Sequence, residues 1–162
     1  MTRTENAIRS ERGQSLVEFA LGFMIVAILL VAVADFGRAF FTYVALRDAA
    51  QEGAIYGSFC PRHVNNMYAR ARQSSTDPVD LQNTTNIVVT CHYIIDGVEQ
   101  STCTGAIQPG RDSLKIIVTF NNFEITTPLL GSILGSQTLP LRAEVIDTIL
   151  RDIPASEQCP AQ

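Results

Sequence analysis

The chain has 162 residues, a formal net charge of −4 and a hydrophobic content of 46%. This length has room for one membrane helix and one modest domain, and the mildly acidic charge argues against nucleic acid as a partner, since that requires a basic patch. The apolar residues are unevenly spread: positions 1–15 are polar, 16–34 are nearly all hydrocarbon, and the rest is an ordinary globular mixture.

The dominant pattern is an apolar run from Leu16 to Ala34, 19 residues with one charge, that of Glu18. At about 1.5 Å per residue a helix of this length spans roughly 28 Å, close to the hydrocarbon core of a bilayer, about 30 Å. We therefore expect residues 16–34 to cross a membrane. Arg3, Arg9 and Arg12 flank the run, which favours a cytoplasmic N-terminus and an extracytoplasmic C-terminal domain.

Residues 1–13 form a short polar leader. A secretory signal has a shorter apolar core, which a small-x-small cleavage site follows, but here no such site follows the run before Asp35. Cleavage is therefore expected before the run, at Gly13, which leaves the helix in the mature protein. The alternative is an uncleaved tail that only sets the topology.

The segment from Gly13 to Phe19 resembles the type III signal of type IV pilin-like proteins. In that pattern a prepilin peptidase cuts after the glycine and a glutamate is fifth in the mature chain, as Glu18 is if Gln14 becomes residue one. The run RGQSLVEFAL, followed by DFGRAFFTYVALRDAAQEGA, resembles the TadE-like family of minor pilins, or pseudopilins, of the Tad/Flp tight-adherence pilus systems. Phe19 departs from the tyrosine usual in major Flp pilins and suits the TadE-like branch better.

This resemblance implies a structural component that assembles or primes a Tad-type (type IVc) pilus and is inserted by its N-terminal helix. The implied partners are the lipid bilayer, other pilin or pseudopilin subunits, a prepilin peptidase and the Tad secretion and assembly machinery. The implied location is the cell membrane, or the extracellular pilus itself. The alternative is a single-pass membrane-anchored protein whose extracytoplasmic interaction domain never enters a filament.

Glu18 raises a physical question, because a carboxylate at membrane depth is costly and normally has a partner. The α-amine freed at Gln14 would lie four residues earlier, on the same helical face. An amine from the same chain or from a neighbouring subunit could serve, and an intermolecular pair would set axial register. Alternatively, Glu18 snorkels to the cytoplasmic interface.

The helix is expected to continue beyond the membrane, from Gln14 to Ile55, over roughly 63 Å, with Gly53 and Gly57 as stop signals. A spanning helix followed by a separate core helix is the alternative. Helical spacing links Phe36, Phe40, Tyr43, Val44, Arg47 and Ala50. Of these, Phe36, Phe40, Tyr43 and Val44 form the apolar stripe that is predicted to carry the globular domain. Arg38 and Thr42 lie off this stripe. The predicted organisation is a leader at 1–13, the helix at 14–57 and an extracytoplasmic domain at 58–162.

The remainder predicts an α+β fold. Pro61 is expected at the first turn of a second helix. One face of this helix is expected to pack on the core and carries Val64, Met67, Tyr68 and Ala71. The opposite side is expected to be solvated and carries Arg62, Arg70 and Arg72. Strand patterns cover Ile87–Ile95, Leu114–Phe120 and Leu139–Leu150, with turn signals at Asp96-Gly97 and Pro109-Gly110 and an apolar connection at 127–135. We expect an antiparallel sheet of three or four strands on the outer half of the long helix, with Pro140 marking an edge strand.

The four cysteines all follow the apolar run, which favours two disulfides in an oxidising compartment. Cys91 and Cys103 flank the Asp96-Gly97 turn, so we expect them to pair, which leaves Cys60 for Cys159; the other two connectivities stay open. A metal site built from Cys91, His92 and Cys103 is the alternative, although the spacing is not that of a zinc ribbon or finger.

The sequence contains no nucleophile elbow, Walker loop or HExxH motif. We therefore expect no enzyme activity, no cofactor and no metal. Single carboxylates such as Asp80, Asp112 and Asp147 are predicted to be solvated loop or strand-end charges.

Overall fold

The computed structural model describes residues 3–127, 131–132 and 135–159, with side chains described from residue 13 onward. In chain order these residues form α1 (Arg3–Phe59), α2 (Val64–Gln73), β1 (Ile87–Ile95), β2 (Val98–Glu99), β3 (Ser113–Glu124) and β4 (Thr138–Thr148). A long helix followed by a small antiparallel sheet confirms the predicted α+β fold. Part of the predicted apolar connection, at 128–130 and 133–134, lies outside the described residues.

The strands form one antiparallel sheet in the order β2-β1-β3-β4. Val118 of the central strand β3 lies opposite Val89 of β1 on one side and Ala143 of β4 on the other. Asp96 and Gly97 join β1 to β2 with φ angles of 49° and 80°, the positive values that a two-residue type I′ hairpin turn requires. β4 is an edge strand, as Pro140 predicts.

α1 is one continuous helix of 57 residues, about 85 Å long. The prediction that the helix continues beyond the apolar run is confirmed, and the alternative of two separate helices is wrong. α1 begins at Arg3 rather than at Gln14, since the leader contains no proline to prevent helix formation. It also continues through Gly53 and Gly57, the predicted stops. A Cβ at Gly57 would lie 2.5 Å from Met67 Sδ, so this glycine allows close approach to α2 instead of ending α1.

The face of α1 that packs on the sheet consists mostly of small side chains, and its buried members include Thr42, Ala45, Leu46, Ala49, Ala50 and Ala54. The predicted contact stripe is therefore wrong: Phe36 is 73% exposed and Phe40 is 54% exposed, and Tyr43 and Val44 are exposed as well. Small side chains let the helix approach the sheet closely and bury more of the neighbouring surface. The aromatic side chains consequently lie on the flank of α1.

α2 begins three residues after Pro61, which lies in the turn between the helices, so the predicted placement of Pro61 in its first turn is wrong. The predicted inner face is confirmed: Met67 and Ala71 are fully buried, and Val64 and Tyr68 pack against the same core.

The three arginines predicted on the solvated side of α2 also make specific contacts. Arg62 donates two hydrogen bonds to the carboxylate of Asp152, at 2.6 and 2.8 Å. Arg72 donates to the carbonyl oxygens of Leu81 and Ile87, and the Arg70 guanidinium lies 5.8 Å from the centre of the Tyr56 ring. These contacts attach α2 and the segment before it to their surroundings, and the predicted solvated side is confirmed at Arg62 and Arg70 but not at the half-buried Arg72.

Asp112 also differs from its prediction, because it is 1% exposed. Its carboxylate accepts hydrogen bonds from the backbone N–H of Gln108 at 2.7 Å and of Asp96 at 3.2 Å. The side chain thus closes the long loop before β3 onto the β1–β2 turn. Asp80, by contrast, is exposed and accepts a bond from the N–H of Gln82, as expected of a loop carboxylate.

Both predicted disulfides are present. Cys91 in β1 is bonded to Cys103, with Cα atoms 5.4 Å apart, and Cys60 at the end of α1 is bonded to Cys159, with Cα atoms 6.1 Å apart. The second bond attaches the C-terminal segment to the junction between the two helices. The Cys91–Cys103 disulfide leaves neither cysteine with a thiolate for the alternative metal site. His92 Nδ1 lies 3.0 Å from the carbonyl oxygen of Gln100.

Candidate functional site: the apolar helix and its junction with the domain

The apolar half of α1 projects away from the rest of the described chain. Among the described residues, α1 alone is long and apolar enough to cross a membrane, and its most apolar window is not covered by any other part of the chain. Leu16 and Phe19 are 69% and 71% exposed. A core helix of a soluble domain would be buried here, so this segment requires an apolar environment that its own domain does not provide.

Gly13, Gln14 and Glu18 lie on this exposed part of α1. Gln14 and Glu18 are four residues apart and therefore share a helical face. Among the side chains that the structure describes, none forms a hydrogen bond or ion pair with Glu18. The carboxylate is thus available to a group from outside the domain, while cleavage after Gly13 and pairing with Gln14 stay predictions.

Asp35, the first residue beyond the apolar run, is 6% exposed and fastens the helix to the domain. Its carboxylate accepts hydrogen bonds from the backbone N–H groups of Thr126 and Thr127, at 3.3 and 2.8 Å, and from the Thr127 hydroxyl. The hydroxyl bond is the main cause that holds the pKa of Asp35 below its usual value; burial opposes it and the N–H bonds add to it. The carboxylate therefore stays ionised at this junction near neutral pH.

Arg38 completes the junction one helical turn later. Its Nη1 lies 3.5 Å from Asp35 Oδ1 and donates a hydrogen bond to the hydroxyl of Thr126. The guanidinium also lies 5.6 Å from the centre of the Phe123 ring, within range of a cation–π contact. This cluster was not predicted from the sequence. The only local signal was an Asp–Arg pair at i, i+3 after the apolar run, because the threonines lie about 90 residues later.

An open cleft of about 740 Å³ lies beside this junction, between α1, β3 and the loop before β1. Its walls carry one arginine, two exposed carboxylates and aromatic rings, and they include Arg38, Phe41, Asp77, Phe123 and Glu124. β3 has a register irregularity between Phe120 and Phe123, and this irregularity turns Asn122 and Phe123 toward the cleft.

Exposed aromatic side chains surround α1 just beyond the apolar run. Phe36, Phe40, Phe41 and Tyr43 are all exposed, and the rings of Phe40 and Phe41 meet edge to face with centroids 6.0 Å apart. They begin two residues after Ala34, about 3 Å along the helix. Of these residues, Tyr43 is of the type that is enriched at membrane–water interfaces.

Comparison with known families agrees with the sequence analysis. Residues 13–54 match the family model described as "TadE-like protein", whereas neither a curated protein nor a solved structure matches the chain. The matched range includes the predicted cleavage glycine, Glu18, the apolar run and the Asp35–Arg38 pair, and it ends before the sheet. It supports a membrane and pilus machinery as the kinds of partner. The match thus shows that residues 13–54 of this chain are similar to the TadE-like family, which supports an association with a Tad pilus.

Proposed function

We propose that this protein is a minor pilin, or pseudopilin, with a structural and non-enzymatic role in the assembly or priming of a Tad-type pilus. The observation that carries the proposal is the exposed apolar segment of α1 with Glu18 on its surface, one helical turn beyond Gln14. A plain membrane anchor gains nothing from a carboxylate there. An assembling subunit gains a specific contact.

In this proposal a prepilin peptidase cuts after Gly13. The new α-amine of Gln14 is positively charged and pairs with the carboxylate of Glu18. The amine belongs either to the same subunit or to its neighbour. Because a charge pair interacts more strongly in an apolar medium than in water, a mispaired subunit leaves an uncompensated carboxylate. When the amine comes from the neighbouring subunit, the pair selects one axial register among the many that apolar side chains alone would permit.

We propose that the N-terminus faces the cytoplasm and that the sheet domain is extracytoplasmic. The arginines at positions 3, 9 and 12 precede the apolar run, as the positive-inside rule requires of a cytoplasmic end. Two disulfides on the other side of the run support an oxidising compartment for the domain.

The test is to replace Glu18 by alanine and by glutamine in the native host. We expect both variants to insert into the membrane normally, as measured by resistance to alkaline extraction, but to be lost from the assembled pilus fraction. Glu52→Ala removes an exposed carboxylate from the part of α1 beyond the membrane and is the matched control, with wild-type assembly. Equal assembly of wild type and both Glu18 variants would contradict the proposal and favour a single-pass protein that never enters a filament.

A further inference from the structure

The cleft beside the Asp35–Arg38 junction combines charges of both signs with aromatic walls. Arg38 contributes a guanidinium of which only Nη1 has a partner among the described residues, so its other nitrogens remain free to donate. Asp77 and Glu124 contribute exposed carboxylates to the same cleft. Because these two carboxylates outnumber the one arginine, a purely anionic ligand is disfavoured, and a ligand that carries both charges is complementary.

The depth of the cleft relative to a bilayer follows from the helix. Arg38 lies four residues beyond Ala34 and Phe41 lies seven, which is about 6 and 10 Å along α1. The polar headgroup region extends about 5–7 Å beyond the hydrocarbon core on each side. With residues 16–34 in the membrane, the guanidinium of Arg38 lies at the level of the lipid phosphates and the rest of the cleft just above them.

We propose that this cleft binds the headgroup of a zwitterionic phospholipid that carries a primary ammonium group. The phosphate accepts hydrogen bonds from the free nitrogens of Arg38, and the ammonium donates to the carboxylates of Asp77 and Glu124. The exposed ring of Phe41, which lies on the water side of the phosphates, packs against the two methylene groups between the phosphate and the ammonium. A quaternary ammonium fits less well, since it has no N–H to donate to the carboxylates. The inference rests on the proposed membrane anchoring through α1.

The experiment uses the full-length chain in detergent, mixed with equal amounts of phosphatidylethanolamine, phosphatidylcholine and phosphatidylglycerol of identical acyl chains. Native mass spectrometry counts the lipids retained. We expect phosphatidylethanolamine to be retained preferentially. In the double variant Asp77→Asn with Glu124→Gln its advantage over phosphatidylcholine falls by about tenfold, the scale expected for losing charge-assisted hydrogen bonds.

The double variant Asp48→Asn with Glu52→Gln is the matched control, because it removes the same charge from exposed positions of α1 outside the cleft; we expect it to retain the wild-type preference. Equal retention of the three lipids by the wild type, a preference for phosphatidylglycerol or phosphatidylcholine, or an equal loss in the control would each overturn the inference. Flotation with vesicles of phosphatidylcholine alone reports anchoring separately. A chain that fails to float contradicts the proposed function, and one that floats without headgroup preference contradicts only this inference.

Discussion

The carboxylate of Asp35 accepts a 2.8 Å hydrogen bond from the backbone N–H of Thr127, 92 residues later in the chain, together with one from its hydroxyl. Asp35 is the first residue after the apolar run, and Thr127 follows β3. This contact therefore ties the base of the sheet domain to the point where α1 leaves the apolar segment. The helix and the domain are joined at both ends of their shared length, since the Cys60–Cys159 disulfide lies at the other end.

Replacing Asp35 by asparagine should loosen this junction. The amide keeps one acceptor oxygen but replaces the other by an NH2 group, so the bonds from Thr126 and those from Thr127 cannot both be kept. The N–H group that loses its acceptor is left unsatisfied, which destabilises the junction. Hydrogen exchange of the Thr126 and Thr127 amides in the full-length chain measures the effect, with faster exchange expected. Asp48→Asn, at an exposed position of the same helix, should exchange like the wild type. Unchanged protection in Asp35→Asn would contradict the assigned role.

The same junction should be sensitive to acid. Hydrogen bonds, first that of the Thr127 hydroxyl, lower the pKa of Asp35 from its usual 3.8. Since the native carboxylate binds protons more weakly than the unfolded one, its stabilisation is present above about pH 3.8 and is lost as the pH falls through the lowered native pKa. Protection of the Thr127 amide, corrected for intrinsic exchange, should be constant down to about pH 5 and decline below about pH 4.

Glu99→Gln is the control for this acid response. A hydrogen bond from Lys115 lowers the pKa of Glu99, so this variant removes a second acid-sensitive group at the opposite edge of the sheet. The response of Thr127 should survive in Glu99→Gln and disappear in Asp35→Asn. A response that disappears in both variants would show that global unfolding, rather than the junction, is being measured.

Gly57→Ala should destabilise the domain although alanine favours helices. The added Cβ would lie 2.5 Å from Met67 Sδ and 2.9 Å from Leu114 Cδ2. Both side chains are fully buried, so the overpacking should cost about 1–3 kcal/mol. Gly37→Ala is the matched control: no atom lies within 4 Å of its Cβ position, and a gain of about 0.5–1 kcal/mol is expected. Denaturant unfolding of both variants should give opposite signs; two equal gains would contradict this packing.

The two disulfides should differ in their contribution to stability because they close loops of different length. The sequence separation is 99 residues for Cys60–Cys159 and 12 residues for Cys91–Cys103. On the chain-entropy account these correspond to about 4.7 and 2.8 kcal/mol. The double variant Cys60→Ala with Cys159→Ala should therefore unfold at lower denaturant concentration than Cys91→Ala with Cys103→Ala. The reverse order would show that loop closure does not dominate.

Local patterns in the sequence predicted the sheet well. Alternating apolar residues gave the bounds of β1, and Asp96-Gly97 identified its hairpin because few residues tolerate two successive positive φ angles. The cysteines flanking that hairpin then indicated the correct pairing.

The orientation of α1 was not predictable in the same way. Hydrophobicity selected Phe36 and Phe40, but the packed face is defined by small side chains such as Ala49 and Gly53, which allow close approach. Selection by apolar character therefore identified exposed side chains, which face solvent or a membrane interface, and not the side chains that pack on the sheet. The partners of Asp35 were out of reach as well, because no periodicity links a carboxylate to threonines 91 and 92 positions away.

The most direct test of the account is the mass of the mature protein purified from native membranes. Intact mass spectrometry is suitable because an N-terminal glutamine can cyclise and block chemical sequencing. In cells that have the prepilin peptidase, the account predicts a chain that begins at Gln14. In cells without the peptidase, it predicts a longer chain that begins at Met1. A chain that still begins at Met1 when the peptidase is present would contradict it, because Glu18 would then have no new α-amine to pair with.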